Sequence, residues 1–217
     1  MTNKKFSIEI LSFIILIFQV IFSQTNPQRN FDPDKFLKEV QNNYKNFQNF
    51  VVEFTREVSS PVISDKQISN GKLFYLSQNK YRLEIDEQTI ISDGETVYNY
   101  SKRAKRVVIT KFEKNFYSPQ NLLTNIPENL KKEFSGEEYF ENKIVYKFRF
   151  YPSSTLLDFK TLIVWISTDK IIQKIQVEDW AGNVHIITNK KFSPNQLIKE
   201  DLIKFKIPAG VKVVDLR

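Results

Sequence analysis

Residues 80–86 read KYRLEID, in which Tyr81, Leu83 and Ile85 alternate with Arg82, Glu84 and Asp86. A period of two puts three apolar side chains on one face of an extended strand and three charges on the other, the pattern of a half-buried sheet. The same alternation runs upstream in FVVEFTREV at 50–58, where Phe50, Val52 and Phe54 share one face and Val51, Glu53, Thr55 and Glu57 the other. Further candidate strands fall at 72–76, 89–92, 96–100, 106–112, 143–151, 161–167, 171–178, 184–190 and 202–207, about eleven in all. Turn signals separate them at Ser69-Asn70-Gly71, Ser92-Asp93-Gly94, Ser167-Thr168-Asp169 and Ala181-Gly182-Asn183. Connections this short join antiparallel neighbours, because parallel pairs need crossovers of a dozen residues or more. The expectation is a large meandering antiparallel sheet.

Two segments depart from that pattern. Asp32-Pro33 reads as an N-cap followed by proline at the first helical position. Phe36, Val40 and Tyr44 then recur every four residues beside Leu37 and Phe47, which predicts an amphipathic helix ending near Asn49. The second segment, SPQNLLTNIPENLKKEF at 118–134, opens on a serine cap and carries Leu122, Leu123 and Ile126 before Pro127 breaks the pattern. It reads as one or two short helices inserted among the strands. A strongly twisted antiparallel sheet of this width curls or closes. With only two helical pieces to cover its apolar face, the interior is either a solid aromatic core or a partly lidded cavity, and periodicity alone does not choose between them.

Composition removes several function classes. The 217 residues include no cysteine and one histidine, so there is no disulfide framework, thiolate nucleophile or Cys-based metal site. A Ser-His-Asp triad would have to run through His185. That residue alternates with Val184 and Ile186 and reads as a surface histidine on the polar side of a strand. The carboxylate pairs Glu137-Glu138 and Glu84 with Asp86 read as solvated charge rather than as acid–base machinery. No metal or cofactor is expected. The net charge of +7 is mild and contains no long basic block, which suits an acidic partner or an anionic headgroup better than nucleic acid.

Residues 1–23, MTNKKFSIEILSFIILIFQVIFS, have the Lys4-Lys5 n-region and the 10–22 apolar core of a secretory signal peptide, with Ser23 as the small residue at the cut. The core is short of the roughly 18 residues a membrane span needs. Cleavage would leave residues 24–217 as a single exported domain with little access to chromosomal DNA.

Four stretches resemble the LolA family of outer-membrane lipoprotein carrier proteins, in order along the mature chain. FQNFVVEFTREV is similar to the family's first strand, and SNGKLFYLSQNKYRLEI to its G-x-L-aromatic strand and the strand that follows. IISDGETVYNYS is similar to the family's V-S-D-G-K-T-L-W-x-Y hairpin: Ser92, Asp93, Gly94, Thr96 and Tyr100 match, with Tyr98 at the tryptophan position. FKIPAGVKVVDLR resembles the family's F-x-P-P-x-G-V-x-V ending.

The resemblance implies a mainly β fold with a few helices: an incomplete, open antiparallel barrel lidded by the N-terminal helix and the mid-chain insert. It implies a periplasmic carrier, not an enzyme, that takes acylated lipoproteins from an inner-membrane ABC lipoprotein-releasing complex and passes them to an outer-membrane acceptor. A monomer without nucleic-acid partners is expected. Phe50, Val52, Phe54, Leu73, Tyr75, Tyr81, Leu83, Ile85 and Tyr98 would line the lipid cavity, and Leu122, Leu123 and Ile126 the lid. One departure concerns the family's K-R-P motif, whose arginine bonds the lid shut: those positions read Leu76, Ser77 and Gln78. A serine has neither the reach nor the forked donors of a guanidinium. Either Arg82 or a polar group of the lid takes the arginine's place, or the lid is held less firmly.

Outside the cavity, SKRAKR at 101–106 places Lys102, Arg103, Lys105 and Arg106 in a hairpin turn. They form either a soluble tip that blunts a sheet edge or a docking point for an acidic partner. Trp165 and Trp180 read as anchors of the core or of a sheet edge. Three rival readings remain beside the carrier: a lipid- or lipoprotein-sensing adaptor of the same fold, a secreted lipid hydrolase dependent on His185, and a barrel with a filled core.

Overall fold

The computed structural model describes residues 31–77, 79–112, 130–153, 157 and 159–217, with the side chain of Ser77 excepted. The leader segment 1–23, Gln78 and the lid residues Leu122, Leu123 and Ile126 lie outside the described residues.

Chain order begins with helix α1 (Pro33–Asn46), then β1 (Phe50–Ser60), β2 (Ile63–Ser77), β3 (Lys80–Ile85), β4 (Gln88–Asp93), β5 (Thr96–Ser101) and β6 (Arg106–Lys111). It continues with β7 (Leu130–Phe140), β8 (Lys143–Pro152), β9 (Thr161–Ser167), β10 (Ile172–Glu178), β11 (Val184–Pro194), a 3-10 turn at Glu200–Ile203, and β12 (Lys212–Asp215). Among the described residues the twelve strands make one sheet, ordered β12-β6-β5-β4-β3-β2-β1-β11-β10-β9-β8-β7. Its ends, β12 and β7, do not pair with each other, so the sheet is open. Two antiparallel meanders, β1 to β6 and β7 to β11, are joined where β1 pairs with β11. Among the described residues the single parallel pair is β12 on β6.

The chain divides into the units Met1–Phe36 and Leu37–Arg217. In the first, Asp32 caps the helix start: its carboxylate accepts from the Lys35 N–H at 3.0 Å, and its carbonyl accepts the Phe36 N–H at 3.0 Å. In the second, Leu37, Val40 and Tyr44 are buried, as their helical spacing predicts.

Register sorts the sheet residues onto two faces. Phe50, Tyr75, Tyr81 and Ser92 stand in one row, and Phe192, Val52, Leu73, Leu83 and Ile90 in the next. Both rows share a face. Val51, Phe74, Arg82, Ile91, Tyr98 and Ile109 form a row on the opposite face. β9 is buried on both sides from Leu162 to Ser167. Phe148 and Phe150 of β8 flank it on one face. On the other, Val145, Ile163 and Trp165 cluster with Phe140.

Several elements differ from the sequence expectation. Residues 202–207 are not a strand. The 3-10 turn occupies their start, and Phe205 lies against Tyr98 and Tyr100 with ring centroids 5.4 and 5.7 Å away. The apolar side chains there cover the opposite face of the sheet instead of pairing at its edge, and the edge is taken by β12. The helical reading of 118–134 fails from Leu130 onward, where β7 begins; the rest of that segment lies outside the described residues.

Ser69-Asn70-Gly71 is not a turn but the middle of β2, and the β1–β2 connection is at Pro61-Val62. Gly71 has a different purpose. It pairs across from Phe54, whose ring lies over it, so that a Cβ at position 71 would fall inside the ring. Glycine in a strand often marks such a close approach, and an aromatic ring covering a cross-strand glycine stabilises the pair. Gly71→Ala should therefore destabilise the protein by about 1–3 kcal/mol through overpacking. The same change in a Phe54→Ala background should cost markedly less, which urea denaturation of the four-member cycle would measure. Equal costs in the two backgrounds would contradict the packing described.

Candidate functional site

On the face that carries Val52 and Phe54 lies an apolar cavity of about 190 Å³. One wall is Val52 and Phe54 of β1, Leu73 of β2, and Leu83 and Ile85 of β3. The other is Ile172 and Ile175 of β10, with Ile187, Asn189 and Phe192 of β11; Tyr44 of α1 completes it. Five neighbouring strands of a single sheet surround this space, so the sheet must curve around it.

The end nearest α1 is closed by stacked aromatic rings. Phe50 stacks on Tyr75 with centroids 4.7 Å apart and planes 17° apart. Tyr44 meets Phe50 and Phe192 edge-on at 5.9 and 5.7 Å, and Phe47 lies 5.3 Å from Phe192. Offset and edge-to-face pairs of this kind each contribute about 0.5–1.5 kcal/mol beyond burial. The Tyr44 hydroxyl accepts the Ile172 N–H at 3.1 Å, so a phenol oxygen supplies what the start of β10 lacks. Burial pushes the Tyr44 phenol well above its ordinary range, and burial also raises Tyr75 and Tyr81. All three therefore stay neutral donors and acceptors.

Five expected cavity residues, Val52, Phe54, Leu73, Leu83 and Ile85, line this space together. Phe50 and Tyr75 form its aromatic floor, and Tyr81 shares their row. Tyr98 does not belong with them. Its register partners are Ile91 and Ile109, which place it on the opposite face, where Phe205 covers it. A hairpin motif marks the turn but not the face its aromatics take: Tyr98 and Tyr100, two residues apart, both lie on the opposite face.

The second wall was not visible to sequence reasoning. Ile172, Ile175, Ile187 and Phe192 lie in strands whose two faces are both partly apolar, and β11 carries an extra residue where the register slips opposite Glu53 and Phe54. That bulge shifts the parity, so Asn189 pairs with Phe54 and faces the cavity. The same parity overturns the reading of His185. It pairs with Val58 and Val177 and stands on the Ile187 face, not on the polar side of its strand.

Arg82 is not available to latch a lid over the cavity, since it stands on the opposite face. Its Nε donates to Glu84 at 2.6 Å and its Nη1 to the Leu202 carbonyl at 3.3 Å. Lys102, Arg103 and Lys105 are exposed in the β5–β6 connection and Arg106 is exposed at the start of β6, where it pairs with Lys212 of β12. A larger groove of about 710 Å³ on the opposite face carries Glu53, Lys72, Arg82, Lys191 and Asp201. Its charges make it a solvated surface rather than an apolar site. Among the described residues no group of three or more acidic or histidine side chains is placed to hold a metal.

The sequence profile of the family described as outer membrane lipoprotein carrier protein LolA matches residues 45–206. The chain belongs to the LolA family. It is similar to an outer-membrane lipoprotein carrier protein of Nitrosospira multiformis, 21% identical over 204 residues, covering 93% of this chain and 96% of the relative. It is also similar to an outer-membrane lipoprotein carrier protein of Psychromonas ingrahamii, 27% identical over 172 residues, covering 76% of this chain and 80% of the relative. An uncharacterized conserved protein from Thermus thermophilus has the same fold, with a TM-score of 0.57 at 14% identity over 84% of this chain and 98% of that one. The LolA family is one of carriers, not of enzymes.

Two outcomes follow from the site. Tyr44→Phe removes the acceptor of the Ile172 N–H and should cost about 1–3 kcal/mol in chemical denaturation. A cost near zero would mean that water takes the hydroxyl's place. Burial, followed by the Arg56 charge, lowers the His185 imidazole below its ordinary 6.5, with Asp179 opposing. The folded state therefore prefers the neutral ring. The stability contributed by this preference is complete above the unfolded value and is lost as pH falls through the lower folded one. An NMR titration of the His185 ring should give a midpoint below 6.5; a midpoint above it would contradict this environment.

Proposed function

We propose that this protein is a periplasmic carrier that receives the acyl chains of lipoproteins in the β1–β3/β10–β11 cavity and moves them between membranes. The observation that carries the reading is the apolar cavity itself, found in a chain of the LolA family. In this proposal residues 1–23 are a cleaved export signal and 24–217 the carrier domain. An inner-membrane ABC lipoprotein-releasing complex loads it and an outer-membrane acceptor unloads it. Val52, Phe54, Leu73, Leu83 and Ile85 contact the chains, over the floor made by Phe50 and Tyr75.

The physics makes such a protein necessary. Moving an acyl chain into water costs about 0.8 kcal/mol per methylene, so three long chains amount to tens of kcal/mol. A carrier must offset that cost and still let go. At about 190 Å³ the cavity is nearer to a benzene-sized void of roughly 150 Å³ than to the roughly 300–1,000 Å³ of ordinary ligand sites. Loading of several chains therefore requires the walls to separate. A sheet whose ends do not pair allows this, because strands at open ends move apart without breaking a closed ladder of hydrogen bonds.

Release of a tagged lipoprotein from energised spheroplasts tests the proposal. Soluble lipoprotein should appear in a one-to-one complex with the added protein. Phe54→Glu or Leu83→Glu, which buries a carboxylate in the cavity wall, should abolish it. Release that is unchanged by either substitution would place the chains elsewhere, and no release would remove the carrier role.

A further inference from the structure

Strand β1 orders its cavity-face residues as Phe50, Val52, Phe54, Arg56 and Val58. At roughly 3.3 Å per residue, Arg56 stands about 20 Å from the aromatic floor, at the far end of the apolar wall. It lines the cavity, pairs with Ile187 on one side and Ser69 on the other, and is half-buried. Arginine in an apolar wall is costly unless an anion meets it. Yet among the described residues Arg56 has no ion pair or hydrogen bond to a carboxylate.

Three nearby acids, Glu53, Glu57 and Asp179, are committed elsewhere. Glu53 and Glu57 of the same strand point to the opposite face and hold Lys72 and Lys66 at 3.0 and 2.6 Å. Asp179 accepts from the Asn183 backbone and side-chain N–H groups at 2.8 and 2.7 Å. The other cation of the lining, Lys174, turns its ammonium onto the Trp165 ring, 4.1 Å from the centroid. His185, one row beyond Arg56, is a ring that burial keeps neutral, so it neither cancels nor doubles the charge.

The cavity is therefore apolar along its length, aromatic at one end and singly cationic at the other, with room for part of one chain. A second polar group lies one row inward from Arg56. Among the described residues the buried Asn189 Oδ1 meets no donor, while its Nδ2 donates to the Ile172 carbonyl at 3.0 Å. It is an acceptor waiting for a hydroxyl or an N–H.

We propose that Arg56 is an anion anchor, and that the cavity binds a single acyl chain bearing an anionic head: tail toward Phe50, carboxylate or phosphate on the guanidinium. This rests on the acyl-binding reading of the cavity and names a ligand class that the triacylated cargo does not include. Two ligands share the chemistry, a free fatty acid and a lysophospholipid. The lysophospholipid also carries a glyceryl hydroxyl that Asn189 could accept.

Displacement of a neutral fluorescent acyl ester from the purified protein tests this in matched pairs. Palmitate is compared with hexadecanol, and palmitoyl lysophosphatidylglycerol with monopalmitoylglycerol. In the wild type the anionic member of a pair should compete about tenfold better than its neutral partner, the scale of one charge-assisted hydrogen bond. Arg56→Gln should bring that ratio to about one, and Arg56→Lys, which keeps the charge without the fork, should hold it in between. A preference in the palmitate pair identifies the free acid, and one in the glyceryl pair the lysophospholipid. Equal competition by anionic and neutral chains in the wild type, or a ratio that survives Arg56→Gln, overturns the anchor while leaving the acyl cavity standing. If no chain displaces the ester, the cavity reading fails and the anchor with it.

Discussion

The pairing of β1 with β11 is the contact on which everything else depends. It joins residues 50–59 to residues 184–194, more than a hundred positions away in the chain. Both meanders could form without it, because each is built from short hairpins. Only this pairing brings the Val52–Phe54 wall against Ile187 and Phe192, and so makes a cavity rather than two half-buried sheets. Closing so long a loop costs conformational entropy that grows only slowly with length, but the cost must be met before the pairing returns anything. The aromatic floor meets it: Phe50 from β1, Phe192 from β11, Tyr75 from β2 and Tyr44 from α1 touch one another at that junction. The rings that close the end of the cavity are the same rings that hold the two halves of the sheet together.

That double use limits what can move. A carrier that opened at the floor would lose the junction of its meanders. Opening must come from the remote strands, where β12 and β7 end the sheet unpaired, or at the Arg56 end. The bulge opposite Glu53 and Phe54 lies between these regions. Bulges increase local twist and bend the strand that carries them. Here the extra residue, Lys190, lies on an exposed part of the strand and reaches Glu141 at 2.8 Å, while Asn189 is turned toward the cavity. One inserted residue thus bends the wall and changes which side chains line it.

The parts of the fold that could be read from the sequence were those where one face is apolar and the other charged. KYRLEID at 80–86 is the clearest case, and β1 and β3 supplied the cavity residues that alternation assigns to one side. The reading failed where both faces are covered. Tyr98 is assigned to the cavity by the family resemblance, yet the C-terminal segment gives the opposite face an apolar cover of its own, Phe205 lying against Tyr98 and Tyr100. β7 was obscured by a polar run, since an edge strand exposed on most of its length needs no alternation. Gly71 shows a third kind of failure. Ser-Asn-Gly is good turn chemistry, and nothing local says that a phenylalanine on the next strand needs the space. His185 was misread because the apolar Val184 and Ile186 stand on the charged face of the sheet, opposite Ser59 and Glu57, while His185, Ile187 and Asn189 share the cavity face.

The placement of charge follows from the same two-faced construction. On the opposite face, lysines and glutamates pair across strands, as Lys72 does with Glu53 and Lys66 with Glu57. Exposed pairs of this kind contribute little to stability, about 0–1 kcal/mol each. Their more important effect is to occupy the acidic side chains of β1. Strand periodicity sends Glu53 and Glu57 outward and Arg56 inward, so the arginine is separated from its sequence neighbours by the thickness of the sheet. A guanidinium left alone beside hydrocarbon is a stability cost of the empty protein, and any bound anion relieves it. The cost falls on the state that must pick up cargo and is recovered in the state that holds it, which favours filling at the very end of the wall where the aromatic floor allows the strands to part.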